Sequence, residues 1–115
     1  MTKSSIALIF SVCLLFISCG KDYDYEIGIG ERIVIDLESL GSSGGYSWLW
    51  DKRDDVVDTV ETEFLPYYEN FEGSPGIERW VFVGAHKGSS VIRLHYKQPW
   101  ETEVIESREY SVLVK

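Results

Sequence analysis

The sequence predicts an all-β domain, an antiparallel sandwich of about seven short strands. Three observations carry that expectation. Apolar residues recur with a period of two from Glu31 to the end of the chain, glycine-containing turns separate the runs, and no segment holds a 3.6-residue period over three helical turns. Six or seven half-buried strands of this length make two packed sheets the natural arrangement.

The first residues stand apart from that pattern. Lys3 forms a short basic start, and the apolar run "IALIFSVCLLFI", Ile6 to Ile17, follows it. A bilayer span needs about 20 such residues, so the run reads as an export signal covering residues 1–18. "LFISCG" then resembles the lipobox of bacterial lipoproteins, with Phe16 where leucine is commonest. That resemblance implies lipidation of Cys19, which becomes the new N-terminus on a membrane. An ordinary cleaved signal followed by a chance cysteine is the alternative.

Removing residues 1–18 from the 115-residue chain leaves 97, enough for one domain with one core. Cys13 leaves with the signal, so Cys19 is the one remaining thiol and no disulfide is possible. The net charge of −8 becomes −9 once Lys3 is lost. So acidic a chain is a poor partner for nucleic acid or for anionic lipid.

Residues 19–30, with "GKDYDYEIGIGE" after Cys19, are polar and glycine-containing and read as a tether. The domain is expected over 31–115. In "RIVIDL", Ile33, Ile35 and Leu37 alternate with Arg32, Val34 and Asp36. "GYSWLW" sets Tyr46, Trp48 and Trp50 on one face, and "VVDTVETEFL" is a weaker strand. "RWVFVG" is almost continuously apolar. "SVIRLHYK" alternates Ile92, Leu94 and Tyr96 with outward residues, and "REYSVLVK" ends the chain. "KRDD" (Lys52 to Asp55) and "HKGS" (His86 to Ser89) are polar connections.

Little here supports catalysis. With Cys19 lipidated there is no free thiol for a Cys/His nucleophile. His86 and His95 lack an HxH or HExxH spacing and read as exposed turn and strand residues, so neither a metal nor another cofactor is expected. "RDDVVD" lacks the central glycine and final glutamate of a calcium loop. The domain is expected not to be an enzyme.

Three turns have unusual content. "LGSSGGYSW" (Leu40 to Trp48) runs through five small residues into aromatics, and Gly44 and Gly45 permit positive φ and a tip without side chains. "EGSPGIERW" (Glu72 to Trp80) places two glycines and a proline before a strand. In "KQPWE" (Lys97 to Glu101), Pro99 fixes its own φ and restricts Gln98, stiffening the approach to Trp100. Trp100 either folds back on the domain or is offered to a partner, and tryptophan is a favoured interface anchor.

In order and spacing these turns resemble the chagasin-type inhibitors of papain-like cysteine proteases. That family has an "NPTTGY/F" loop before a Trp-bearing strand, a "GxGG" loop before an aromatic strand, and "RPW" after a strand ending in Tyr. "GSSGGYSW", "GSPGIERW" and "YKQPWE" fall on them in that order, and the match extends from about Glu31 to Lys115. Gly41-Ser42 replaces the Asn-Pro, Ser43 and Gly44 replace the threonines, Pro75 replaces a glycine and Gln98 replaces the arginine.

The resemblance implies an immunoglobulin-like sandwich, monomeric, whose loops occlude a protease cleft reversibly and competitively. Ser42, Ser43, Gly44, Gly45 and Tyr46 would form the part that crosses the catalytic Cys/His. Gly73, Ser74, Pro75 and Gly76 would flank it on one side, and Gln98, Pro99 and Trp100 on the other. The alternative is a surface lipoprotein that binds glycans or a cell-surface protein by stacking Trp80, Trp100, Tyr67 and Tyr68.

Overall fold

A computed structural model describes residues 22–41 and 43–115. The signal sequence, Cys19 and Ser42 lie outside the described residues. Seven strands form two sheets among the described residues: β1 (Tyr25–Ile27), β2 (Arg32–Ser39), β3 (Ser47–Trp50), β4 (Val57–Pro66), β5 (Gly76–Gly84), β6 (Gly88–Lys97) and β7 (Glu106–Val114). One sheet has the order β1-β7-β6-β3 and the other β2-β5-β4.

The period of two does what it predicts. Along β2 exposed and buried residues alternate without a break, and Ile33, Ile35, Leu37 and Ser39 face inward. Phe82, Ile92, Leu94 and Val112 are fully buried between the sheets. Burial of each such side chain stabilises the fold by about 1.5–3 kcal/mol. Trp50 meets Phe82 edge-on at 5.1 Å, and Trp80 stacks on Phe82 at 5.8 Å.

Trp48 fastens one sheet to the other. It is 3 % exposed, and its Nε1 donates to the Glu38 carbonyl at 2.8 Å. Its backbone N–H, on the free edge of β3, points at the Glu78 carboxylate oxygens, each 3.3 Å away. A buried edge group without such a partner would cost about 1–3 kcal/mol.

One pairing departs from the antiparallel rule, and it lies in the stretch expected to be a tether. β1 runs parallel to β7, Tyr25 opposite Val112 and Ile27 opposite Val114. Tyr25 and Ile27 pack against the core, and the Asp24 carboxylate accepts the Ser111 N–H at 2.8 Å. Two apolar residues in alternation were too short a signal to stand out from their polar surroundings. β1, placed by sequence in the tether, is therefore a strand of the sandwich.

Strand direction decides where the connections fall. Ser39 pairs with Gly76 beside Pro66 in one sheet, while Lys97 pairs with Ser47 and Tyr96 with Glu106 in the other. The β2–β3, β4–β5 and β6–β7 loops therefore share one pole. The first passes from one sheet to the other across the end of the core, and each sheet supplies a hairpin loop beside it.

Candidate functional site

The crossing loop is held from below by Tyr96. This residue is 6 % exposed, meets Trp48 at a tilt at 5.0 Å and stacks on Tyr46 at 5.7 Å, and its hydroxyl accepts the Leu40 N–H at 2.9 Å. Above it the chain turns through Ser43–Gly45 in a single 3-10 turn kinked at Gly44. Gly44 and Gly45 have φ of 73° and 75°, a region that carries a penalty of about 1–2 kcal/mol for residues with a Cβ. A Cβ on Gly44 would also press on the Tyr46 ring at 3.2 Å.

The β6–β7 loop bends over this turn. Glu101 N–H donates to the Gln98 carbonyl at 3.0 Å, closing a tight turn with Pro99 and Trp100 at its centre. Gln98 Nε2 donates to the Gly44 carbonyl at 2.7 Å. A Cβ on Gly45 would sit 2.5 Å from Trp100 Cη2, so the indole rests in the space that the missing side chain leaves. Trp100 remains 69 % exposed. It does not fold back into the core, and its ring lies against the tip of the neighbouring loop.

The β4–β5 loop abuts the crossing loop from the other sheet. A Cβ on Gly41 would collide with the Ser74 carbonyl oxygen at 2.1 Å, so these backbones touch because residue 41 is glycine. Here the site differs from the sequence expectation. Ser74 is 2 % exposed; its hydroxyl accepts the Tyr68 N–H at 3.1 Å and donates to the Pro75 carbonyl at 2.7 Å. Gly76 is buried in β5, where a Cβ would strike the Leu65 carbonyl at 2.2 Å. Both build the loop's base.

What projects instead is Tyr67 to Glu72, with Tyr67, Tyr68 and Phe71 at 52, 64 and 63 % exposure. Glycine content drew the expected boundary to Gly73–Gly76. The better signal was "YYENF", aromatics within a turn. Leu40, Val104 and Ile105 are further exposed apolar residues on these loops that the sequence reading passed over.

Tyr46 was expected at the surface of the site, but it packs on the core and supports the tip from beneath. Ser43 contributes backbone to the turn, and Gln98 and Trp100, on either side of Pro99, meet Gly44 and Gly45 at the pole. Trp80 is 9 % exposed and belongs to the core, which removes it from any sugar-stacking platform.

The electrostatics of the pole are one-sided. Glu69, Glu72, Glu101 and Glu103 are all exposed, and residues 41–46, 67–75 and 98–105 contain no Lys or Arg, although the half-buried Lys97 ends β6 at the same pole, opposite Ser47. His95 lies on the outer face of β6, where Nδ1 is 3.0 Å from Ser107 Oγ and Nε2 is 3.6 Å from Asp51. Arg53 holds the Asp51 carboxyl below its usual range, mainly by hydrogen bonding.

Comparisons with known proteins agree with this architecture. Residues 26–114 match the model of the family described as Chagasin family peptidase inhibitor I42. The crystal structure of the cysteine protease inhibitor EhICP2 from Entamoeba histolytica superimposes with a TM-score of 0.63 at 24 % identity, covering 79 % of this chain and 97 % of that one. The solution structure of amebosin gives a TM-score of 0.59 at 25 % identity, over 78 % of this chain and 84 % of that one. No curated protein matches the sequence. The family match spans nearly all the described residues and the three loops with them, and the chain belongs to the chagasin family of peptidase inhibitors, which are not enzymes.

Proposed function

We propose that this protein is a reversible, competitive inhibitor that plugs the cleft of a papain-like cysteine protease with its three-loop pole. The observation that carries the reading is the seating of Trp100 against Gly45, reinforced by the Gln98–Gly44 hydrogen bond. Two motifs separated by more than fifty residues of sequence meet as one projecting surface.

The chemistry of occlusion follows from that surface. The Ser43–Gly45 tip bears no side chain beyond serine, so its backbone can descend into a narrow slot. It descends as a tight turn, whereas a protease reads its substrate extended, so no peptide bond is offered to the catalytic cysteine. Trp100 and the β4–β5 loop then rest on the two walls of the cleft. Contacts preset within the free inhibitor reduce the entropy lost on binding. Protease–inhibitor interfaces typically bury about 1,600 Å² in total.

We further propose that the domain is exported and anchored through a lipid on Cys19. The apolar run followed by "SC" supports that reading. The inhibitor reading is tested by titrating papain with the purified protein. A stoichiometric, dilution-reversible loss of activity that excess substrate relieves is expected. Binding to a glycan array with no effect on papain would favour the sugar-stacking alternative through Tyr67, Tyr68 and Trp100, which are exposed.

A further inference from the structure

The β4–β5 loop displays more apolar surface than a flank of the plug requires. Tyr68 and Phe71 stand out at 64 and 63 % exposure from a backbone closed on itself. Phe71 N–H donates to the Tyr68 carbonyl and Ser74 N–H to the Phe71 carbonyl, each at 3.2 Å, and the buried Ser74 hydroxyl ties the ends together. Tyr68, Glu69, Asn70 and Phe71 line an open, shallow surface at the loop's tip. Rings presented from so short and closed a loop lose little freedom when they dock.

This patch is continuous with the rest of the pole. Tyr67, adjoining it, lines a groove of about 350 Å³ with Leu40, Tyr96 and Ile105, residues of the first and third loops or of their base. Its border is acidic: Glu69 and Glu72 flank the rings, and Glu101 and Glu103 face solvent on the third loop. Among the described residues none of the four is ion-paired. An apolar centre with a charged border is the anatomy of a protein interface, and the sign of the border selects the partner. Negative charge opposes an anionic bilayer, and it opposes a second copy of the same pole.

We infer that Tyr68 and Phe71 are a second anchor, seated on the protease surface beside the cleft. This inhibitor therefore selects papain-like proteases whose cleft is bordered there by an apolar depression with Lys or Arg around it. The inference rests on the protease reading above and adds the chemistry of the partner.

The test uses the purified protein and two papain-like proteases, one with a basic and one with an acidic border to the cleft. The basic-bordered enzyme is expected to be inhibited at least tenfold more tightly at low salt, with an association rate that falls as ionic strength rises. Tyr68→Ser/Phe71→Ser should weaken that inhibition about thirtyfold through faster dissociation, with an unchanged melting curve. Glu69→Lys/Glu72→Lys should abolish the preference by slowing association, and it does not depend on how the aromatic variant folds. Equal inhibition of both proteases, salt-independent association, or an aromatic variant as potent as the parent would overturn the inference while leaving the protease reading intact. Failure of the parent protein to inhibit either protease would remove both.

Discussion

Gln98 donates its side-chain amide to the carbonyl of Gly44 across 2.7 Å, joining the tips of two loops that belong to different connections of the sandwich. The family pattern has arginine at position 98 and a proline in the crossing loop. Here the crossing loop lacks that proline, and a neutral amide from the neighbouring loop supplies a restraint. Gln98→Ala should loosen the tip without disturbing the core. Loss of one exposed hydrogen bond is worth about 1 kcal/mol, so inhibition should weaken about fivefold. A titration against papain beside an unchanged melting temperature would show it.

Trp100 and Gly45 should behave as one unit. Trp100→Ala removes a ring that is mostly exposed, so stability should hold while inhibition falls about thirtyfold, the effect of a truncated anchor. Gly45→Ala puts a methyl 2.5 Å from the ring's present edge and should swing the indole away. The double variant should then lose little more than the worse single one. Additive losses in that cycle would mean that the two residues act independently.

Two buried tryptophans should respond differently to the same change. Trp48→Phe deletes the 2.8 Å hydrogen bond to the Glu38 carbonyl that spans the sheets, whereas Trp80 Nε1 is buried with no partner among the described residues. Chemical denaturation should find Trp48→Phe the more destabilising by about 1–2 kcal/mol.

Asp36 and Arg79 form a two-armed ion pair on the outer face of the β2-β5-β4 sheet, at 2.8 and 2.9 Å. The guanidinium, chiefly by hydrogen bonding, holds the Asp36 carboxyl below its ordinary value. A carboxyl depressed in the folded state adds stability that is present above the unfolded value, about 3.9, and that disappears as pH falls through the folded one. Asp36→Asn should therefore narrow the stability gap between pH 6 and pH 3. Both partners are well exposed, so the change will be small, and salt will shrink it further.

Cys19→Ser should move the protein from the membrane fraction to the soluble one without altering inhibition. Mass spectrometry of the mature N-terminus would show the lipid directly. A soluble parent protein with an unmodified thiol would sink the anchor proposal.

Much of this was legible in the residues because side chains on a strand alternate rigidly. Ile33, Ile35 and Leu37 on β2, and Ile92, Leu94 and Tyr96 on β6, announced their faces before any coordinates. The glycines of the crossing loop announced their backbone as well, since only a residue without Cβ adopts those φ values cheaply. Less visible was which small residues serve the surface and which serve the frame. Gly41, Gly45 and Gly76 look alike in sequence, yet each is required by a different neighbour: a carbonyl at Ser74, an indole at Trp100 and a strand at Leu65. Such neighbours come from distant parts of the chain, and no local pattern encodes them. β1 escaped notice for a similar reason, because its pairing with β7 spans nearly the whole domain.

The clasp between Asp24 and Ser111 sets the length of the leash. If Cys19 is held in the lipid, five peptide units separate it from that clasp, a reach of about 17 Å at full stretch. The clasp lies toward the end of β7 remote from the plug, so the working pole stands only about 20 Å beyond it. On the anchor proposal, an inhibitor on so short a lead would patrol a thin shell over its own membrane, and its quarry would be whatever protease comes that close.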